Sequence, residues 1–186
     1  MSSEITRKLF TFDDCLRMAD TGVLSPAEQV ELINGDILVM SPAGPRHGAA
    51  VDRTAEAMRK RLEGKGIVRA QGTVVLDTFA APLPDIALLK PRIDHYAGKN
   101  PAAEDIFLIV EVSMSSLEYD TTVKLQLYAI TGITEYWVAD LENNRLLVYS
   151  DPAGDAYQSI RELHRGDTVA PLLLPDCRIP VDLLLP

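Results

Sequence analysis

From Ile106 to Val112 the chain reads Ile-Phe-Leu-Ile-Val-Glu-Val, an apolar, largely β-branched run broken by one carboxylate, Glu111. Such composition belongs to a central strand covered on both faces, so the rest of the chain has to supply packing for two sides of a sheet. The run also sets a chemical problem. An isolated ionised carboxylate among core residues is costly unless it is paired, protonated or bound to a metal. Glu111 is therefore either a strand-end residue in a buried ion pair or a ligand.

Local signals place the other elements. Thr11 with Asp14 three residues on has the form of a capping box, and Phe12, Cys15, Leu16 and Ala19 fall on one helical face that Gly22 ends. Val30 to Ile33 and Asp36 to Val39 flank Asn34-Gly35, the sequence of a type I′ hairpin turn; this register pairs Ile33 with Asp36 and Glu31 with Leu38. A helix is expected from Arg46 to Leu62, with Val51, Ala55, Met58 and Leu62 buried. Short strands are expected at Ile67–Ala70, Thr73–Leu76 and Asp85–Leu89. Asp120 is placed to cap a helix that runs to Ile130 and stops at Gly132. Strands at Glu135–Asp140, Arg145–Ser150 and Tyr157–Leu163 follow, joined by turns at Asn143-Asn144 and Pro152–Gly154. The tail from Leu172 to Pro186 is apolar and punctuated by prolines, and is expected to pack on the core or on a partner chain. The order predicts a single α/β (α+β) domain over residues 1–186, a mixed sheet with helices packed on it.

Composition removes several alternatives. A chain of 186 residues with 47% hydrophobic and 24% charged residues is neither disordered nor fibrous. Its net charge of −9 argues against electrostatic coating of nucleic acid, where phosphate contacts supply most of the affinity. Cys15 and Cys177 form neither a disulfide framework nor a zinc knuckle, and fit a reducing compartment. Met1 to Phe10 lacks a signal-peptide core, and Ile106 to Val110 is too short to cross a bilayer; the expectation is a cytoplasmic protein with no membrane partner.

Three residues extend the problem set by Glu111. Asp85 follows Pro84 at the mouth of its strand; if that strand neighbours the Glu111 strand, two carboxylates converge, and a hard divalent cation relieves their repulsion. The bland alternative is a turn aspartate. Lys124 lies near the expected helix amino end, where the macrodipole disfavours a cation, although a solvated face is the default for a lysine. Glu31 shares a hairpin face with Ile33 and Leu38 and so is not plainly turned to solvent. Ser113, Ser115 and Ser116 have neither a Gly-x-Ser-x-Gly setting nor a placed base, and no glycine loop matches a P-loop or dinucleotide fingerprint.

Together, Glu31-Leu32-Ile33-Asn34-Gly35-Asp36, Ser41-Pro42 with His47, Pro84-Asp85-Ile86, Ile109 to Ser113, Tyr119-Asp120 with Lys124 and Tyr128, and Gly132 to Asp140 resemble the Uma2 family, bacterial proteins of the PD-(D/E)xK superfamily. The resemblance spans about residues 8 to 165. It implies a restriction-endonuclease-like central sheet and a DNA endonuclease using Mg²⁺ or Mn²⁺. Asp85, Glu111 and Glu31 would be the metal-binding acids, and Lys124 the catalytic lysine. Position 113, two after Glu111, is Ser, so the lysine would come from the next helix. The substrate-binding candidates are His47 and Arg46. Arg46 opens a stretch to Arg69 with seven basic and three acidic residues, either a solvated face or a surface that meets phosphates. A homodimer, with the tail as contact, would bring two sites to two strands. Two other readings stay open: a nuclease fold that binds without cleaving, and a structural ion-pair network in which Lys124 neutralises Glu111.

Overall fold

The computed structural model describes residues 6–185 apart from residues 26 and 43. Residues 1–5, part of the segment read as lacking a signal-peptide core, and Pro186 at the end of the tail lie outside the described residues.

Helix α1 (Phe12–Asp20) begins with the expected reciprocal cap: the Thr11 hydroxyl accepts from the Asp14 amide at 3.1 Å, and the Asp14 carboxylate accepts from the Thr11 amide at 2.9 Å. Its stripe is only partly used, since Phe12 and Cys15 are half-buried while Leu16 and Ala19 are exposed. Strands β1 (Val30–Ile33) and β2 (Asp36–Val39) form the expected hairpin in the expected register. Asn34 and Gly35 both take positive φ, 51° and 81°, as a type I′ turn requires.

Helix α2 (Pro45–Leu62) buries Val51, Ala55, Met58 and Leu62 as predicted, together with Ala50, Thr54 and Ala57. Beyond it come β3 (Ile67–Ala70), β4 (Ile86–Leu89) and β5 (Ile106–Ser113). Thr73–Leu76 is not a strand. Its amides bond one by one to the carbonyls of Pro82, Pro101 and Ala80, so the segment weaves between loops instead of joining a ladder.

The helical segment after β5 differs from expectation in a way that matters for the site. It starts at α3 (Leu117–Tyr119), widens into one π-helical turn (Asp120–Lys124) and continues as α4 (Leu125–Ile130). Asp120 therefore lies inside the segment and does not cap it. Its carboxylate is engaged by the hydroxyls of Ser113 and Ser116, each at 2.6 Å. Lys124 closes the π turn, away from the amino end.

Strands β6 (Glu135–Asp140), β7 (Arg145–Ala153) and β8 (Ala156–His164) complete a six-stranded sheet of order β3-β4-β5-β6-β7-β8. The β5–β6 pair is parallel and its neighbours are antiparallel, so the sheet is mixed. The second turn falls at Gly154-Asp155, because β7 runs on through Pro152. A small pair, β9 (Thr168–Val169) with β10 (Ile179–Pro180), adds a separate ribbon.

β5 is the covered central strand its composition demands. Leu108, Val110 and Val112 pack with α2 on one side; Ile109 packs with Tyr128 and Tyr136 on the other. Trp137 and Tyr136 are fully buried sheet residues. The tail packs inward: Cys177, Ile179, Val181, Leu184 and Leu185 belong to the α2-side core, while Leu172 and Leu173 stay half exposed.

Candidate active site

Residue parity on β5 generates the site. Glu111 and Ser113 share the face of Ile109, the face on which the helical segment lies. On that segment Asp120, Lys124 and Tyr128 recur every four residues. Ser113 meets Asp120, and Glu111 meets both Lys124 and Tyr128. One strand and one helix, docked face to face, thus align a row of polar groups inside an apolar layer.

Asp85 enters from the adjoining strand. The β4–β5 register pairs Ile86 with Val110. Asp85, one residue before Ile86, therefore lies at the strand end beside Glu111. Its amide donates to Glu111 Oε2 at 3.2 Å, and its own Oδ2 accepts from the Val112 amide at 2.8 Å. The side chain continues the ladder where the strand stops. Asp85 Oδ2 is also 3.0 Å from His47 Nε2, delivered by the first turn of α2. Glu31 arrives on β1, which an antiparallel bridge between Leu32 and Ala81 holds against the loop preceding Asp85. Glu31 Oε1 accepts from the Leu83 amide and from Lys124 Nζ, both at 2.9 Å.

Lys124 is the hub. Its Nζ donates to Glu31 Oε1 and Glu111 Oε1 at 2.9 Å each, with its side chain 4% exposed. The Tyr128 hydroxyl also donates to Glu111 Oε1, at 2.9 Å. Asp85, Glu111, Lys124 and His47 all line one cavity of about 550 Å³. Arg46 is not brought in: it is exposed and its guanidinium donates to the Leu141 carbonyl at 3.0 Å. Among the described residues, no three His, Cys, Asp or Glu side chains form a ready-made metal cluster, and the ammonium of Lys124 stands between Glu31 and Glu111.

The electrostatics follow from burial of more carboxylates than cations. Burial pushes Glu111 up to about 8; Lys124 opposes this, and Asp85, Asp120 and Glu31 reinforce it. Burial alone would favour the neutral amine of Lys124, but attraction from Glu111 and Glu31 outweighs it and holds the ammonium above its ordinary value. His47 is raised, foremost by its hydrogen bond to Asp85. Burial raises Tyr119 to about 12, so its phenol stays protonated.

Tyr128 and Tyr119 had no expected site role, and Asp120 was expected only as a helix cap. The fourfold spacing of Asp120, Lys124 and Tyr128, matched to Glu111 and Ser113 two apart on a strand, was the signal available for Asp120 and Tyr128.

Comparison with known proteins fits this architecture. The crystal structure of a "putative nuclease belonging to DUF820" from Anabaena variabilis ATCC 29413 superposes with a TM-score of 0.73, at 16% identity, over 94% of this chain and 97% of that chain. At that identity the match shows the fold alone, a mixed central sheet with helices packed on it. The Uma2 family profile, described as "Putative restriction endonuclease", matches residues 12–182. The chain belongs to the Uma2 family. A search of curated proteins finds no match.

Proposed function

We propose that the protein is a metal-dependent DNA endonuclease that hydrolyses phosphodiester bonds at the Asp85–Glu111–Lys124–Glu31 centre. The observation that carries this reading is the convergence of Asp85, Glu111, Lys124 and Glu31 from β1, the Asp85 turn, β5 and the π turn on one buried point, three of them lining an open cavity. A structural ion pair needs one carboxylate for one ammonium. Here the acids exceed the base, and Glu31 Oε2 is buried with no partner.

Such a set fits Mg²⁺ or Mn²⁺, hard ions that one or two carboxylates hold while waters and phosphate oxygens complete the shell. Asp85 and Glu111 would hold the ion, with Glu31 beside them. When bound, it supplies an acidified water and a polarised phosphoryl oxygen. Lys124 presents an ammonium, fixed by Glu31 and Glu111, that offsets negative charge growing on the phosphate, and Tyr128 keeps Glu111 in place. His47 steadies Asp85 through Nε2, while its other ring nitrogen is buried without a partner. Cutting both strands of a duplex calls for two sites, which a homodimer supplies. The two thiols, Cys15 and Cys177, remain free, in keeping with a reducing cytoplasm.

The test is incubation with supercoiled, linear and single-stranded DNA in Mg²⁺, Mn²⁺ or EDTA. Cleavage in either metal and none in EDTA is expected. Binding without cleavage under every metal condition would replace this reading with a silent nuclease-fold binding module.

A further inference from the structure

Among the described residues, four buried side-chain polar atoms have no hydrogen-bond partner: Glu31 Oε2, His47 Nδ1, Thr54 Oγ1 and the Tyr119 hydroxyl. Thr54 sits within α2, but the other three belong to the candidate site or its cavity. A buried hydroxyl left unpaired is destabilising, and native chains rarely keep one without a use.

Tyr119 ends α3, immediately before the π turn that carries Lys124. Tyr119 is among the residues lining the same cavity as Asp85, Glu111, His47 and Lys124, its hydroxyl recessed in the wall. The turn that follows it is pinned where Asp120 takes the hydroxyls of Ser113 and Ser116. π turns inserted in helices are frequent at functional sites. The nearby charges are the carboxylates of Glu31, Asp120 and Glu111 and the ammonium of Lys124, yet the phenol bonds none of them. A neutral O–H donor can receive an anion in an acidic cavity without adding to its negative charge, and donation to a charged oxygen is about twice as strong as to a neutral one.

We propose that Tyr119 is a substrate-binding residue of this site, its hydroxyl donating to a non-bridging oxygen of the phosphodiester drawn into the cavity. The inference rests on the nuclease reading and adds a phosphate contact to it.

The test is Tyr119→Phe, which removes only the hydroxyl. Melting temperature of the DNA-free protein should stay level or rise, because an unpaired buried group has gone. Affinity for a fluorescein-labelled 12-nucleotide single strand, measured in Ca²⁺ to suppress turnover, should fall about 10- to 100-fold, and kcat/KM in Mg²⁺ should fall with it. A lower melting temperature with unchanged DNA affinity would show a structural hydroxyl and overturn the proposal. Undiminished binding and cleavage by Tyr119→Phe would overturn it while leaving the nuclease reading intact. Tyr119-dependent binding without cleavage in any metal would sustain the phosphate contact and sink the nuclease reading instead.

Discussion

Replacing Lys124 with Met tests the buried network at its hub. The substitution keeps the apolar stem and deletes the ammonium that Glu31 and Glu111 share at 2.9 Å each. Tyr128 and the Leu83 and Asp85 amides still donate to the two carboxylates, but no cation faces them. Stranding a buried charge in this way costs about 3–5 kcal/mol. For a domain of this size that lowers the melting temperature by about 6–20 °C. Adding Glu111→Gln to Lys124→Met should recover part of the loss, because removing both members of a buried pair is far less costly than removing one. The assay is thermal unfolding followed by circular dichroism, run above pH 8 where Glu111 is ionised in the parent, on both variants and on Glu111→Gln alone. A Lys124→Met protein that melts with the parent would refute the reasoning, since it would mean that the carboxylates are solvated or already neutral.

Three further outcomes follow from the same geometry. Glu111 holds its proton up to about 8 in the folded state, against 4.5 for an ordinary glutamate, so the folded protein binds more protons between those values. Metal-free stability should then be full below pH 4.5 as far as this group is concerned and decline as pH rises toward 8; urea titrations across that range check it, and a Glu111→Gln variant should lose this part of the slope. Truncation after Pro171 should unfold the domain, not merely dissociate a dimer, because Cys177, Ile179, Val181, Leu184 and Leu185 leave the core and each large apolar side chain is worth about 2–5 kcal/mol there; light scattering with circular dichroism separates the two results. Gly35→Ala should destabilise the chain by about 1–2 kcal/mol in denaturant titrations, because Gly35 has φ +81° and the added Cβ would lie 2.7 Å from Leu9 Cβ.

What the sequence disclosed divides by the range of the interaction. The Asn34-Gly35 hairpin, the Thr11–Asp14 cap and the buried stripe of α2 depend on residues a few positions apart, and all three stand as read. Thr73–Leu76 has strand composition but finds its partners at Ala80, Pro82 and Pro101, which no local pattern reveals. Asp120 has the type of an N-cap, yet the hydroxyls of Ser113 and Ser116 claim its carboxylate, and the helix begins before it. Glu111 was legible as an anomaly because one charge interrupts an apolar strand. What answers it was not legible from spacing: Glu31 is 93 positions from Lys124, and the two meet only because β1 docks beside the Asp85 turn. Arg46 followed from charge patterning alone, and its guanidinium goes to Leu141 instead.

The central claim is that Asp85, Glu111 and Lys124 make a hydrolytic centre and not a structural ion-pair network. The most direct measurement is the single-turnover cleavage rate of Asp85→Asn beside the parent protein in Mg²⁺, with the fold of both verified by thermal unfolding. Asp85→Asn keeps the shape of the side chain and removes its charge. The account predicts a correctly folded variant whose cleavage falls by two orders of magnitude or more, about the loss of a principal electrostatic group. A folded Asp85→Asn protein that cuts at the parent rate would contradict it.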